Sequence, residues 1–160
     1  MTILAVAQQG EPILKIVASR LTSEELQSEW LKQLTLAMFE TMNARNGVGI
    51  AAPQVYVSKR VIIVASRPNL RYPDAPIMDA VVMVNPEILS FSEESILGEE
   101  GCLSVPDQRG QVARATQIIV CYDNLEGEQV EREFSGFLAR IVQHEVDHLN
   151  GVLFNERLSI

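Results

Sequence analysis

The chain switches between two kinds of hydrophobic pattern. Between Leu21 and Gly47, Leu26, Trp30, Leu34, Met38 and Met42 recur every fourth residue, which lays an apolar stripe along a long N-terminal helix. Thr22 and Glu25 stand at capping-box spacing, so the helix is predicted to begin there, and Gly47 is placed to stop it. The period then changes. RVIIVA (60–65) and AVVMVNP (80–86) are short runs rich in β-branched residues and read as buried strands, the second stopped at Asn85-Pro86. NLRYPDAP (69–76) carries turn residues and reads as a surface loop, while residues 87–97 read as extended. QVARATQIIVCYDNLEGEQVEREF (111–134) reads as a hairpin turning at Glu126-Gly127. SGFLARIVQHEVDHLNG (135–151) returns to helical spacing, with Ser135 as N-cap and Asn150-Gly151 as stop. Strands in the middle and a helix at each end predict an α+β fold with mostly antiparallel pairing. No break in composition divides the 160 residues, which read as one domain long enough to bury a core.

Composition narrows the function classes. The net charge of −8 argues against nucleic acid as the main partner, because phosphate binding needs a basic surface. No apolar run approaches the ~20 residues of a membrane span. MTILAVAQQGEP lacks the basic start of a signal peptide, so a cytoplasmic protein of bacterial type is expected, or an organellar one if a targeting segment was trimmed. With only two cysteines in such a compartment, free thiols are expected rather than a disulfide.

The chemistry sits in QHEVDHLNGVLF (143–154), which holds both histidines of the chain. Four residues apart on a helix, His144 and His148 share one face and can hold one metal ion. Glu145 is turned by ~100° from His144, so it flanks the metal and suits a general base acting on water. Phe137 and Ile141 extend the histidine face and aim it inward. Arg140, one turn before His144, reads as an ion-pair partner behind the site. A catalytic zinc-like centre takes three protein ligands and one open position. The extended three-histidine version of the motif would place a third His where Phe154 stands, and downstream only Glu156 is a donor. The third ligand is therefore expected upstream, as a thiolate. Cys121 lies in QIIVCYD and reads as a buried strand residue, whereas Cys102, in GEEGCLSVPDQRG, lies in loose backbone and does not read as core. Cys102 with His144 and His148 is the favoured metal set. Two rivals stand beside it: a zinc endopeptidase with another third ligand, and a structural metal site closed by Cys102, Cys121, His144 and His148.

GVGIAAPQ (47–54), EGCLS (100–104) and HEVDH (144–148) together resemble the three signature blocks of the peptide deformylases, in order and at similar spacing. Val48 and Ile50 are mild variants within the first block. The resemblance implies antiparallel strands around the helix that carries the histidines. It implies a metal-dependent hydrolase that removes the formyl group from the N-terminal methionine of new polypeptides. By position, Cys102, His144 and His148 would hold a divalent metal, natively ferrous iron, with zinc, nickel or cobalt in a purified sample. Glu145 would be the acid/base, and Gln54 and the Leu103 N–H would donate to the oxyanion. Val48, Gly49 and Gly101 would meet substrate main chain as an added strand, and Arg109 matches an arginine near the outer groove. Formyl-methionyl nascent chains are the implied partner, with transient ribosome contact. Many bacterial members have a C-terminal extension where this chain stops, at Ile160.

Overall fold

The computed structural model describes residues 2–159. Its centre is a five-stranded antiparallel sheet in the order β1-β2-β3-β6-β7, from Gly49–Ala51, Val61–Ser66, Met78–Phe91, Gln117–Asp123 and Gln129–Ser135. A separate hairpin joins β4 (Ser95–Cys102) to β5 (Val105–Ala115). Helix α3 (Gly136–Leu149) crosses one face of the sheet, and α2 (Glu29–Ala44) covers the other.

The continuous apolar run of β2 has a simple cause. Ile62 and Val64 face α3 with Val142, Val146 and Leu149, while Val61 and Ile63 face α2 with Leu31, Met38 and Met42. A strand covered on both sides has no polar face to show. The predicted end of β3 at Asn85-Pro86 is corrected: the strand continues to Phe91. Asn85 adopts a left-handed φ of 50°, and the pairing with β6 shifts between Val84 and Glu87. Pro86, which has no N–H to give the ladder, therefore sits in a bulge. The 111–134 hairpin is also redrawn. Only residues from Gln117 onward pair across the turn near Gly127; Gln111–Ala115 belongs to the other sheet.

The N-terminal helix divides. Thr22 and Glu25 do form a capping box, but on a short α1 (Ser23–Leu26). Ser28 is extended, and its hydroxyl caps a new helix by accepting from the Leu31 N–H. An every-fourth-residue series drifts ~40° per step on a helix, so the five-residue stripe cannot stay on one face. Trp30 is 42% exposed, and the buried face of α2 runs through Leu31, Leu34, Met38 and Met42. The left-handed residue after α2 is Asn46, not Gly47.

A third apolar cluster, made of Ala7, Leu14, Val112, Leu153 and Phe154, contains Cys102. It closes the gap between the β4–β5 hairpin and the end of α3. The expectation for the two cysteines is thereby reversed. Cys102 is 4% exposed and packed in core, while Cys121 is half-buried on the outer side of β6. Both are free thiols.

Candidate metal centre and its pocket

Helix α3 starts where Ser135 takes extended geometry, with no capping bond from its side chain. It ends at Asn150, followed by Gly151 with φ 75°. Between these points the helix is buried continuously from Ala139 to Leu149, so both histidines face the interior. The donor atoms of Cys102, His144 and His148 all lie within 4.8 Å of one another, and all three residues are buried. The Cys102 Sγ is 3.3 Å from His148 Nε2. Cys121 has no place in this cluster, which removes the four-ligand structural site. A soft thiolate with two imidazoles, converging from β4 and α3, is a donor set that fits a divalent transition metal. Phe154 supplies no ligand; its ring lies over His144 at 6.1 Å between centroids and belongs to the core.

Behind the histidines lies a buried ion cluster. Glu100 accepts two hydrogen bonds from Arg114 at 2.9 Å, one from Arg140 at 2.7 Å, and meets His144 Nδ1 at 2.9 Å. With Nδ1 engaged by a carboxylate, the Nε2 lone pair of His144 is turned to the metal side. Arg114 continues to Asp147, which Arg157 also contacts. Gly98 lets this cluster close: a β-carbon there would stand 2.7 Å from the Arg140 guanidinium. Burial alone would raise the Glu100 pKa, but the bonds from Arg114 and His144 outweigh it and hold the carboxyl far below its ordinary range. Burial likewise disfavours the Cys102 thiolate and the His144 cation. Their mutual contact, with His148 and Glu100 around them, overturns this, lowering the thiol and raising the imidazole.

Glu145 lacks such partners. It is 4% exposed, and its Oε1 has no hydrogen-bond partner. Burial raises its pKa above the ordinary glutamate value, against the pull of the two histidines. Gly49 makes room for it, since a β-carbon at that position would stand 2.5 Å from Glu145 Oε2. Gln54 is held on the 3-10 turn that follows β1. Its Oε1 accepts from the Ala51 N–H at 2.9 Å, which turns its amide NH₂ toward Ser104 Oγ at 3.1 Å and Cys102 Sγ at 3.5 Å. The Leu103 N–H donates to no protein acceptor among the described residues.

A narrow pocket, open to solvent, is lined by Val48, Gly49, Gln54, Gly101, Cys102, Leu103, His144 and Glu145. Eight of the ten sequence-selected residues thus share one cavity wall. His148 lies behind it, 1% exposed, and Arg109 lines an adjoining cavity that shares Cys102 and Leu103 with the first. Sequence reasoning missed Arg71 and Tyr72, which lie on the 67–77 segment and also line the pocket. Tyr72 packs against Phe137 with ring centroids 5.1 Å apart, and its Oη accepts the Gly101 N–H at 3.2 Å. The only signal in the sequence was an aromatic and an arginine inside a Pro-rich loop.

The family model described as polypeptide deformylase matches residues 3–160. Peptide deformylase 2 of Shewanella oneidensis is 48% identical over 154 residues, spanning 96% of this chain and 83% of that protein. A crystal structure of the class I type b peptide deformylase from Acinetobacter baumannii with Met-Ala-Ser bound is 69% identical with a TM-score of 0.96, covering 98% of this chain and 99% of that one. The peptide deformylase of Thermotoga maritima is similar at 38% identity and a TM-score of 0.88, covering 100% of each chain. Blocks that converge on one pocket, a fold shared along the chain's length and identities of this size leave one assignment: the chain belongs to the polypeptide deformylase family, the metal-dependent enzymes that remove the N-formyl group from polypeptides.

Proposed function

We propose that residues 1–160 form one catalytic domain that deformylates the N-terminal methionine of nascent chains, with ferrous iron as the native metal. Cys102, His144 and His148 would hold the ion. When bound there, such an ion polarises the formyl carbonyl and makes a water acidic enough to attack near neutral pH. The remaining work falls to this chain's side chains. Glu145 takes the proton released as the water oxygen bonds to the formyl carbon. It then delivers that proton to the departing amine nitrogen as the C–N bond breaks. The Gln54 amide and the Leu103 N–H donate to the oxygen that gains charge, each worth about 10²–10³ in rate. The peptide lies extended between Val48-Gly49 and Gly101, bonding main chain to main chain. Arg109 stands at the far end of this groove. The Acinetobacter structure has Met-Ala-Ser bound, which supports a short peptide as the ligand.

The observation that carries the reading is the buried carboxylate of Glu145, with no hydrogen-bond partner among the described residues, set beside three converging ligand atoms. The zinc-endopeptidase alternative needs a third ligand other than Cys102, whereas Cys102 is the residue that joins His144 and His148 among the described residues. The protein acts in the cytoplasm in this reading; no helix among the described residues is long and apolar enough to cross a membrane. A transient contact with the ribosome belongs to the same proposal.

Formate release from a formyl-Met peptide tests this, using protein purified without oxygen and loaded with iron. Turnover is expected for the parent and for Cys121→Ser. Cys102→Ser is expected to lose both metal and turnover. A parent that binds iron stoichiometrically and releases no formate would contradict the proposal.

A further inference from the structure

The pocket's outer wall carries a charge arrangement that the reaction does not require. An ideal β-carbon at Gly101 would stand 2.7 Å from Arg109 Nη1 and 3.0 Å from Arg71 Nη2. The two guanidinium groups, from β5 and the 67–77 segment, therefore converge on one point beside the Gly101 backbone. Both also lie near the Tyr72 ring, with Arg109 Cζ 4.9 Å and Arg71 Cζ 5.6 Å from its centroid. Tyr72 is itself anchored by Phe137 and the Gly101 N–H, so the convergence is built on packed residues.

Like charges this close repel, and a carboxylate between them would ordinarily compensate. Glu99 meets only Arg109 Nε, at 3.3 Å, and is more than half exposed. Arg71 pairs with no carboxylate among the described residues, and neither does Arg45, which lines the same adjoining cavity. A chain of net charge −8 has acidic side chains to spare, yet among the described residues Glu99 alone pairs with this cluster, and only through Arg109. Guanidinium forks with open N–H groups match a carboxylate better than any neutral acceptor.

We propose that Arg71 and Arg109 form an anion subsite beside Gly101, which favours peptides carrying a carboxylate shortly after the formylated methionine. This rests on reading the pocket as an extended-peptide groove. The carboxylate can come from an Asp or Glu side chain or from the C-terminus of a short peptide. Added salt weakens the preference, because the contact is only partly buried.

The test compares kcat/KM of the iron-loaded protein for formyl-Met tripeptide amides with Glu or Gln at the second or third position, and for the free-acid form of the Gln peptide. A gain of about tenfold for Glu over Gln at one position is expected, about 1.4 kcal/mol by the relation between ratio and free energy. That gain should fall toward parity in Arg71→Gln and invert in Arg71→Glu. A gain for the free acid alone also supports the subsite, with the terminal carboxylate as its ligand. Parity for every carboxylate peptide, or a gain that survives Arg71→Gln, would overturn it. Equilibrium binding of the unformylated Met-Ala-Glu and Met-Ala-Gln amides reads the same preference without turnover. If the neutral peptide is not deformylated but Glu still binds tighter, the activity reading fails and the subsite stands.

Discussion

Glu100 and Glu145 are two carboxylates that line one pocket with His144, both buried to within 4% of full enclosure. Glu100 receives four hydrogen bonds from Arg114, Arg140 and His144. Glu145 has an oxygen with no partner and a glycine where a side chain would crowd it. The same functional group is driven in opposite directions: the first is fixed as an anion, the second is made able to hold a proton. A carboxylate used for orientation must never neutralise, because it fixes the tautomer of a ligand. A carboxylate that moves a proton must do so, and its pocket leaves it unsatisfied for that purpose.

The largest effect expected from breaking this contrast is at Glu145. Replacement by Ala should lower kcat by about 10²–10⁴ while metal content, read by elemental analysis, is retained. At Glu100 the loss should appear in stability instead. Glu100→Gln leaves Arg140 buried without a carboxylate and Arg114 with Asp147 alone, and a cost of about 3–5 kcal/mol is expected in urea unfolding. The sign with pH follows from the depressed pKa. The stabilisation is present above the unfolded value of about 4.3 and is lost as pH falls through the folded value, so parent and variant should converge only in acid. Gly49→Ala keeps both carboxylates in the chain but pushes Glu145 aside. A fall in kcat of about 10² is expected, with unfolding little changed. A Gly49→Ala variant with parental kcat would show that Glu145 tolerates displacement.

The two carboxylates also differed in how far the sequence disclosed them. Glu145 stood inside a motif whose spacing carries its chemistry, so its place flanking the metal could be read directly. Glu100 was visible only as a neighbour of Cys102. Its partners lie 14, 40 and 44 residues away, and nothing local announces a pair at such separation. The same limit explains the misplaced cysteines. Loose, Gly-flanked backbone around Cys102 suggested exposure, but the hairpin folds it against Leu153 and Phe154. The alternation of β6 correctly implies two faces but not which one is buried, so Cys121, expected inside, lies on the half-buried face instead. Trp30 erred for a purely geometric reason, since a stripe with period four leaves the face of a helix with period 3.6. The antiparallel order of the strands and the helix across them were legible as fold class; the split into two sheets was not.

The most direct test of the contrast is a ¹³C NMR titration of metal-free protein labelled at glutamate Cδ, with Glu100→Gln and Glu145→Gln used to assign the two signals. The Glu145 signal is expected to titrate above the ordinary glutamate range, and the Glu100 signal to stay unmoved down to pH of about 4. A Glu100 signal that titrates above the Glu145 signal would contradict the assignment of fixed anion and proton carrier.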